Sequence, residues 1–211
     1  MGKYFTSGSD GPNYGQTLYS GYGSGLTTKQ KNAVNIIQTP FEEIGQTWGA
    51  GAIGTGVAPR AYRQTDAING LIITEVHIDL TGLKAKGGDA GDAIGVGTTP
   101  AYIYKNVVAD NGIIFKQEMI CTELPAAGSG TITTDINLAW NSAATIDYDE
   151  AVGALREINS GGVVAGKVIE DNTVALTADH YAYLTEGDTA ASSGVYNAGQ
   201  LILKFYGYQV K

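Results

Sequence analysis

The chain has 211 residues, enough to bury a full hydrophobic core, and its 30 glycines with only 16% charged residues favour a turn-rich fold over a helical one. A formal net charge of −8 without any cluster of Lys and Arg argues against nucleic-acid binding, because clustered cations are what hold a phosphate backbone. No run of about 18 apolar residues occurs, so a membrane partner is not expected either.

The first 63 residues are interpreted as an extended N-terminal arm and crossing segment. Residues 1–25 contain seven glycines and four tyrosines but almost no aliphatic side chains, so they cannot form a core alone. A low-complexity linker is one explanation, but interspersed tyrosines are typical of binding surfaces and favour an arm that orders against a neighbour. The candidate partner-interface residues are Tyr4, Phe5, Tyr14, Tyr19, Tyr22, Lys29, Lys31, Phe41 and Trp48.

Two local features lie within this arm. Thr27 or Thr28 can cap a short helix over 27–37, which Pro40 would end. The stretch 49–54 spells GAGAIG, a glycine spacing found in nucleotide-binding loops, but it leads to a proline at 59 instead of an amphipathic helix. We therefore expect a flexible or bulged crossing segment there.

Residues 64–211 are predicted to form a β-rich domain with an acidic surface. The arm carries five basic and three acidic residues (+2), while this domain carries eight basic and 18 acidic residues (−10). The run LIITEVHIDLTG alternates with period two, which is typical of a half-buried strand. Its buried face is predicted to hold Ile72, Thr74, Val76, Ile78 and Leu80, and its solvent face Glu75, His77 and Asp79.

The next elements are predicted as strands joined by turns. The strand-like runs 101–108 and 113–124 flank Asn111 and Gly112, a dipeptide that favours a hairpin. The run GTITTDINLAW alternates again, with Ile132, Ile136, Leu138 and Trp140 inward and Thr131, Thr133, Asp135 and Asn137 outward.

The last part of the chain contains one predicted helix and three strands. Val152, Leu155 and Ile158 have helical spacing, so 148–158 is expected to form a short helix. The runs VVAGKVIE, TVALTADHYAYL and GQLILKFYGYQV then return to strands, with Leu201, Leu203 and Phe205 alternating in the last. Short strands separated by glycine-rich turns predict an all-β fold, with an antiparallel β-sandwich or jelly-roll body.

The residues that could carry chemistry are few. Cys121 is the single cysteine, so no intrachain disulfide can form, and its place in an apolar run predicts a buried, inert thiol. His77 and His180 each neighbour an Asp, but neither has a third partner at the spacing that a catalytic triad or metal site needs. We therefore expect no catalytic residue, no metal ligand and no cofactor.

Two groups of carboxylates leave a calcium site open. Asp147, Asp149 and Glu150 form one group, and Asp89 with Asp92 in the loop KGGDAGDAIG forms another. Neither has the spacing of an EF-hand, so solvated loop carboxylates are the preferred explanation. Paired-carboxylate glycosidase chemistry, whose acids would come from distant strands, has no positive support.

The ordered runs TEVHIDLTGLKAKG, AIGVGTTPAYIYKNVV and AGQLILKFYGYQVK, together with the element ELP at 123–125, resemble a family of virion proteins of tailed, mainly aquatic, phages. That family is related to capsid decoration, or cement, proteins. The likeness covers roughly residues 66–211 and includes no catalytic motif.

The resemblance implies a β-rich body that is made in the host cytoplasm. It would sit as a homotrimer on the outside of an icosahedral capsid. The implied partners are the major capsid protein and further copies of this chain, with the arm reaching across neighbouring capsid subunits. A head-fibre or tail-associated protein that binds a host surface or glycan is the alternative.

Overall fold

The computed structural model describes residues 41–46, 48–49, 51–66, 69–85, 87, 91–96, 99–100, 102–146, 155–158, 160–187 and 193–209. The predicted helix over 27–37 lies outside this part of the chain. Strand accounts for 58% and helix for 3% of the structure, and the strands form two antiparallel sheets. The predicted all-β sandwich is therefore confirmed.

The larger sheet is built around the C-terminal strand. Strands β1 (Glu42–Ile44), β2 (Arg60–Thr65) and β3 (Leu71–Asp79) lead to β13 (Gly194–Tyr208), whose other side pairs with β8 (Ile113–Gly130) and then β11 (Val168–Asp171). From the first residues of β13 the sheet continues through β4 (Lys84–Ala85), β5 (Gly95–Val96) and β6 (Thr99–Pro100).

The smaller sheet covers one face of the larger one. Its order is β10 (Leu155–Ile158), β9 (Ile136–Asn141), β12 (His180–Glu186) and β7 (Tyr102–Asn106). A single helical turn, α1 (Val108–Asn111), follows β7 and leads the chain into β8 of the larger sheet.

The core lies between the two sheets and follows the period-two pattern. Strand β3 alternates between buried and half-buried positions over its whole length, as predicted. The Phe205 ring stacks on Tyr104 at 5.2 Å between ring centroids and meets Trp140 edge-on at 5.0 Å. Of the residues predicted to face the core, Ile132 is only partly buried; the others are at most 2% exposed: Ile72, Thr74, Val76, Ile78, Leu80, Ile136, Leu138, Trp140, Leu201, Leu203 and Phe205.

The hairpin predicted around Asn111 and Gly112 is wrong. Strand β7 pairs with β12 in the smaller sheet, whereas β8 pairs with β11 and β13 in the larger sheet. The connecting residues form α1 instead of a two-residue turn, and Gly112 ends it with a φ of +69°. The dipeptide thus marks a crossing from one sheet to the other.

Two further local predictions are also wrong. Leu155–Ile158, the end of the helix predicted over 148–158, forms strand β10 beside β9. Asn137 was predicted to face solvent but is 2% exposed, because residues 136–140 are buried on both faces of β9. Its side-chain oxygen accepts a hydrogen bond from the Ser160 N–H at 2.8 Å.

Strands β1 and β2 lie in the segment predicted to cross from the arm to the body. Glu43 is registered opposite Tyr62, and Tyr62 opposite Glu75, so both strands extend the larger sheet through antiparallel pairing. Strand β2 therefore runs across the boundary predicted between residues 63 and 64. Between these strands, residues 51–59 form no strand.

Candidate interaction surface

The outer face of the larger sheet is the broad surface that the smaller sheet leaves open. Because side chains alternate along a strand, the residues of β3 that do not enter the core point to this face. Strand registers align them in rows across β2, β3, β13, β8 and β11. One row contains Tyr62, Glu75, Lys204, Glu118 and Glu170, and the next contains Arg60, His77, Ile202, Ile120 and Val168.

Paired charges lie along the centre of this face. The Lys204 ammonium lies 2.6 Å from a Glu75 oxygen, and the Lys116 ammonium lies 2.7 Å from Glu118 and 3.0 Å from Glu170. These carboxylates raise the pKa of Lys116 above its ordinary value. The side chains of Lys204 and Glu75 are 27% and 15% exposed and those of Lys116 and Glu118 are 26% and 12% exposed, so these partly buried pairs fix a charge pattern on the surface.

An aromatic pair lies at one end of the same face. Phe115 and Tyr208 are 40% and 44% exposed and approach each other to 5.9 Å between ring centroids. Beside them, the Tyr206 hydroxyl donates a hydrogen bond to Glu118 at 2.9 Å. Burial, together with this bond, raises the pKa of Tyr206 to about 12.

A groove of about 170 Å³ lies at the opposite end of the face. Its polar lining includes Arg60, His77, Asp79, Thr122 and Gln200. Pockets for whole small-molecule ligands are usually about 300–1,000 Å³, so the groove has room for one small group only.

Asp79 at this groove holds the backbone in place. Its carboxylate accepts hydrogen bonds from the Thr81 N–H at 2.9 Å and the Val57 N–H at 3.1 Å. Burial works to raise the pKa of Asp79, but a hydrogen bond from the Thr81 side chain, together with these two backbone hydrogen bonds, outweighs it and leaves the pKa below its ordinary value. Its oxygens are thus committed to fastening the irregular segment 51–59 to the end of β3.

Both histidines have partners other than a neighbouring aspartate. His77 Nε2 lies 3.3 Å from a Glu75 oxygen, and its ring meets Tyr62 edge-on at 5.1 Å. His180 donates from Nδ1 to the Ala178 carbonyl at 2.8 Å, while Asp179 accepts from the Val108 N–H at 3.0 Å. The structure therefore forms no Asp-His pair from the sequence neighbours.

Cys121 is buried, as predicted. It is 1% exposed, and its thiol donates to the Glu123 carbonyl at 3.3 Å. Burial raises the pKa of the Cys121 thiol, which keeps it protonated and unreactive.

Two of the nine predicted interface residues lie in the described part of the chain. Phe41, next to β1, is 37% exposed. Trp48 is partly buried and packs against the core, and the neighbouring Gly49 donates its N–H to the Tyr102 carbonyl at 2.9 Å. The other seven lie outside the described residues: Tyr4, Phe5, Tyr14, Tyr19, Tyr22, Lys29 and Lys31.

The structure corrects the interpretation of Asp92 and adds Glu186 to the residues of interest. Asp92 was expected to be a solvated loop carboxylate, but it is 1% exposed and lies beside Glu186, which is 0% exposed. Sequence reasoning missed Glu186, although period two from Ala182 and Leu184 places it on the core face. The other predicted acidic positions, Asp89, Asp147, Asp149 and Glu150, lie outside the described residues.

Comparison with protein-family models, with curated proteins and with solved structures finds no match to this chain. Within the described residues, no three or more His, Cys, Asp or Glu side chains come together as a metal site. The same part of the chain contains no helix long and apolar enough to span a membrane.

Proposed function

We propose that this chain is a non-enzymatic virion protein that binds the outside of an icosahedral phage capsid and stabilises it, as a decoration or cement protein. The proposal is supported by the outer face of the larger sheet, where paired charges lie between an exposed aromatic pair at one end and a groove too small for a whole substrate at the other. Such a face suits recognition of another protein. The sequence resemblance supplies the capsid as that protein.

The proposed attachment combines the body with the arm. A fixed pattern of opposite charges gives register and specificity against a partner more than affinity. The tyrosines of the arm would each bury a large ring on a neighbouring capsid subunit. In a homotrimer, three arms bound together would hold firmly even if each contact were weak, because tethering raises the effective concentration.

The test is co-sedimentation with empty, expanded shells assembled from the major capsid protein of the same virus. The full chain is compared with a chain lacking residues 1–25 and with a chain in which Tyr4, Tyr14, Tyr19 and Tyr22 are replaced by Ser. We expect both variants to lose at least about tenfold in affinity. Every subunit of the oligomer loses its arm contacts, and these losses multiply through avidity.

A Tyr181→Ser variant is the matched control for the loss of a tyrosine from the body, because Tyr181 is half-buried on β12 of the smaller sheet, away from the outer face of the larger sheet. Should the full chain fail to bind shells, the capsid function is wrong. Should the truncated chain bind with full occupancy, the arm is only a linker and the body alone must attach.

A host-surface or glycan-binding role in a head fibre or tail is the second candidate, and the groove favours it. Arg60, His77 and Gln200 offer hydrogen-bonding groups there, and the Tyr62 ring lies against His77. A glycan array tests this role with the His77→Ala variant, and His180→Ala is the control because His180 is not among the residues that line the groove. Sugar binding that His77→Ala abolishes and His180→Ala retains would favour this function over capsid binding.

A further inference from the structure

A group of polar side chains lies between the two sheets, where β2 of the larger sheet, β7 of the smaller sheet and α1 come together. Arg63 belongs to β2, Tyr104 and Asn106 belong to β7, and Asn111 ends α1. Arg63 is registered opposite Thr74, which is 1% exposed, so the Arg63 side chain shares the inner face of the sheet. Tyr104 and Asn106 are 0% exposed and Asn111 is 2% exposed.

Hydrogen bonds orient these side chains. The Arg63 Nη2 donates to the Asn111 side-chain oxygen at 2.6 Å, and the Asn111 side-chain nitrogen donates to the Asn106 side-chain oxygen at 3.0 Å. The oxygens of both amides are therefore used within the group, and Asn106 is left with its nitrogen as a donor. Burial raises the pKa of the Tyr104 hydroxyl, against the effect of the nearby Arg63 charge, so the hydroxyl keeps its proton.

Three buried donors in this group have no acceptor within the described chain. They are the Arg63 Nε, the Tyr104 hydroxyl and the Asn106 side-chain nitrogen. The Thr74 and Asn111 side chains also approach the Tyr104 oxygen, but not with the geometry of a hydrogen bond. Since buried polar groups in proteins are nearly always satisfied, three such donors around one cation indicate an acceptor that the protein itself does not supply.

The group also carries a positive charge that no carboxylate of the described chain balances. The Arg63 guanidinium is always protonated, and its acceptor Asn111 is neutral. Glu42 is registered opposite Arg63 on β1, but it is exposed, and none of the ion pairs among the described residues includes Arg63. A charge held in such surroundings is costly unless an opposite charge accompanies it.

We propose that Arg63, Tyr104 and Asn106 form a binding site for one small monovalent anion such as chloride. A halide ion accepts several hydrogen bonds at once and supplies the opposite charge. A water molecule would add donors of its own and brings no charge to set against the guanidinium. The bound anion would tie β2 of the larger sheet to β7 of the smaller one. This site goes beyond the proposed function and does not depend on it.

Urea unfolding at constant ionic strength tests the site, with chloride replacing the larger anion isethionate. A ligand that binds only the folded chain stabilises it, so the unfolding equilibrium constant of the wild type should fall about tenfold or more by about 100 mM chloride. Tyr104→Phe keeps the ring that stacks on Phe205, and Arg63→Gln removes the charge; each should lose most of this response. Arg60→Gln, at an exposed position of the same strand, is the matched control and should respond as the wild type.

Asn106→Asp provides a further variant in case the other two do not fold. It places a carboxylate oxygen beside Arg63, and this fixed anion should abolish the response to chloride. Broadening of the chloride NMR signal measures binding directly, and we expect it from the wild type and Arg60→Gln but not from Tyr104→Phe. A wild-type stability that does not depend on chloride would overturn the proposal. So would a response that Tyr104→Phe, Arg63→Gln and Asn106→Asp all retain, because the anion would then bind elsewhere.

Discussion

Hydrogen bonds between individual side chains join the two sheets. The Trp140 indole N–H donates to the Gln117 side-chain oxygen at 2.8 Å, and the Gln117 amide donates to Asp171 at 3.0 Å. Both Trp140 and Gln117 are 0% exposed. A buried acceptor that loses its donor incurs most of its desolvation cost, so this link matters more than an average hydrogen bond.

We predict that Trp140→Phe lowers the free energy of unfolding by about 1–3 kcal/mol, because the Gln117 oxygen is left without its donor and the smaller ring leaves a cavity. Urea denaturation measures the change. Tyr208→Phe, a control on an aromatic residue that is 44% exposed, should stay within about 0.5 kcal/mol. A loss as small as the control's would show that the indole N–H contributes nothing to the link.

Gly112 is required both by its backbone angle and by its neighbours. Its φ is +69°, and an added Cβ would overlap the Tyr208 carbonyl. Gly166 has a φ of +83° with nothing within 4 Å of the added atom, so it isolates the cost of the angle. We predict that Gly166→Ala costs about 1–2 kcal/mol and Gly112→Ala at least about 3 kcal/mol in a thermal or urea denaturation. Equal losses would mean that the backbone at Tyr208 can shift aside.

Single residues also show where the period-two pattern no longer predicts which side chains face solvent. Glu75 and His77 were placed correctly because β3 has one buried and one open face, and alternation then specifies both. Asn137 was misplaced because both faces of β9 are buried, so a polar residue there no longer marks solvent. The meeting of Asp92 with Glu186 depends on pairing between distant segments, which period two alone does not give.

Among the strands and helices, local sequence patterns gave wrong predictions where pairing with a distant strand determines the secondary structure. Val152, Leu155 and Ile158 have helical spacing, yet the backbone of Leu155–Ile158 pairs with β9, and tertiary pairing overrides a short periodic run. Asn111 and Gly112 suit a tight turn, but the flanking strands bury their apolar faces in different sheets. The existence of most strands was thus predictable, whereas their neighbours were not.

The hydrogen bonds of the Asp79 carboxylate, which hold segment 51–59 to the end of β3, give a prediction about this segment. Asp79→Asn removes the carboxylate that accepts from the Thr81 and Val57 N–H groups, so segment 51–59 should detach more often. Limited proteolysis should cut this segment several-fold faster in the variant. Because the pKa of Asp79 is lowered in the fold, the wild type should show the same change only as the pH falls through and below the ordinary value of 3.8. Asp110→Asn, at an exposed position of α1, is the control. Equal cleavage of both variants would show that the Asp79 hydrogen bonds do not hold segment 51–59 in place.

At the scale of the whole molecule, one core spans nearly the whole described chain. It includes Ala52 near the start and Phe205 near the end, and it contains residues of both sheets. Contacts between residues so far apart in sequence must form together, which favours cooperative unfolding and slow folding. Strand β13 is central to this arrangement, because it pairs with β3, β4 and β8.

The fold should therefore depend on the C-terminal strand. We predict that a chain ending at Gly199 does not fold, because it loses the registers from Gln200 to Tyr208 with both β3 and β8 and the buried residues Leu201, Leu203 and Phe205. Far-UV circular dichroism and the dispersion of amide NMR signals measure the outcome. A chain ending at Tyr208 is the matched control. Within the described residues it loses the hydrogen bond from the Gln209 N–H to the Gly70 carbonyl, and it should unfold only slightly more easily, by about 1 kcal/mol. A folded, cooperative protein ending at Gly199 would show that the larger sheet can close without its central strand.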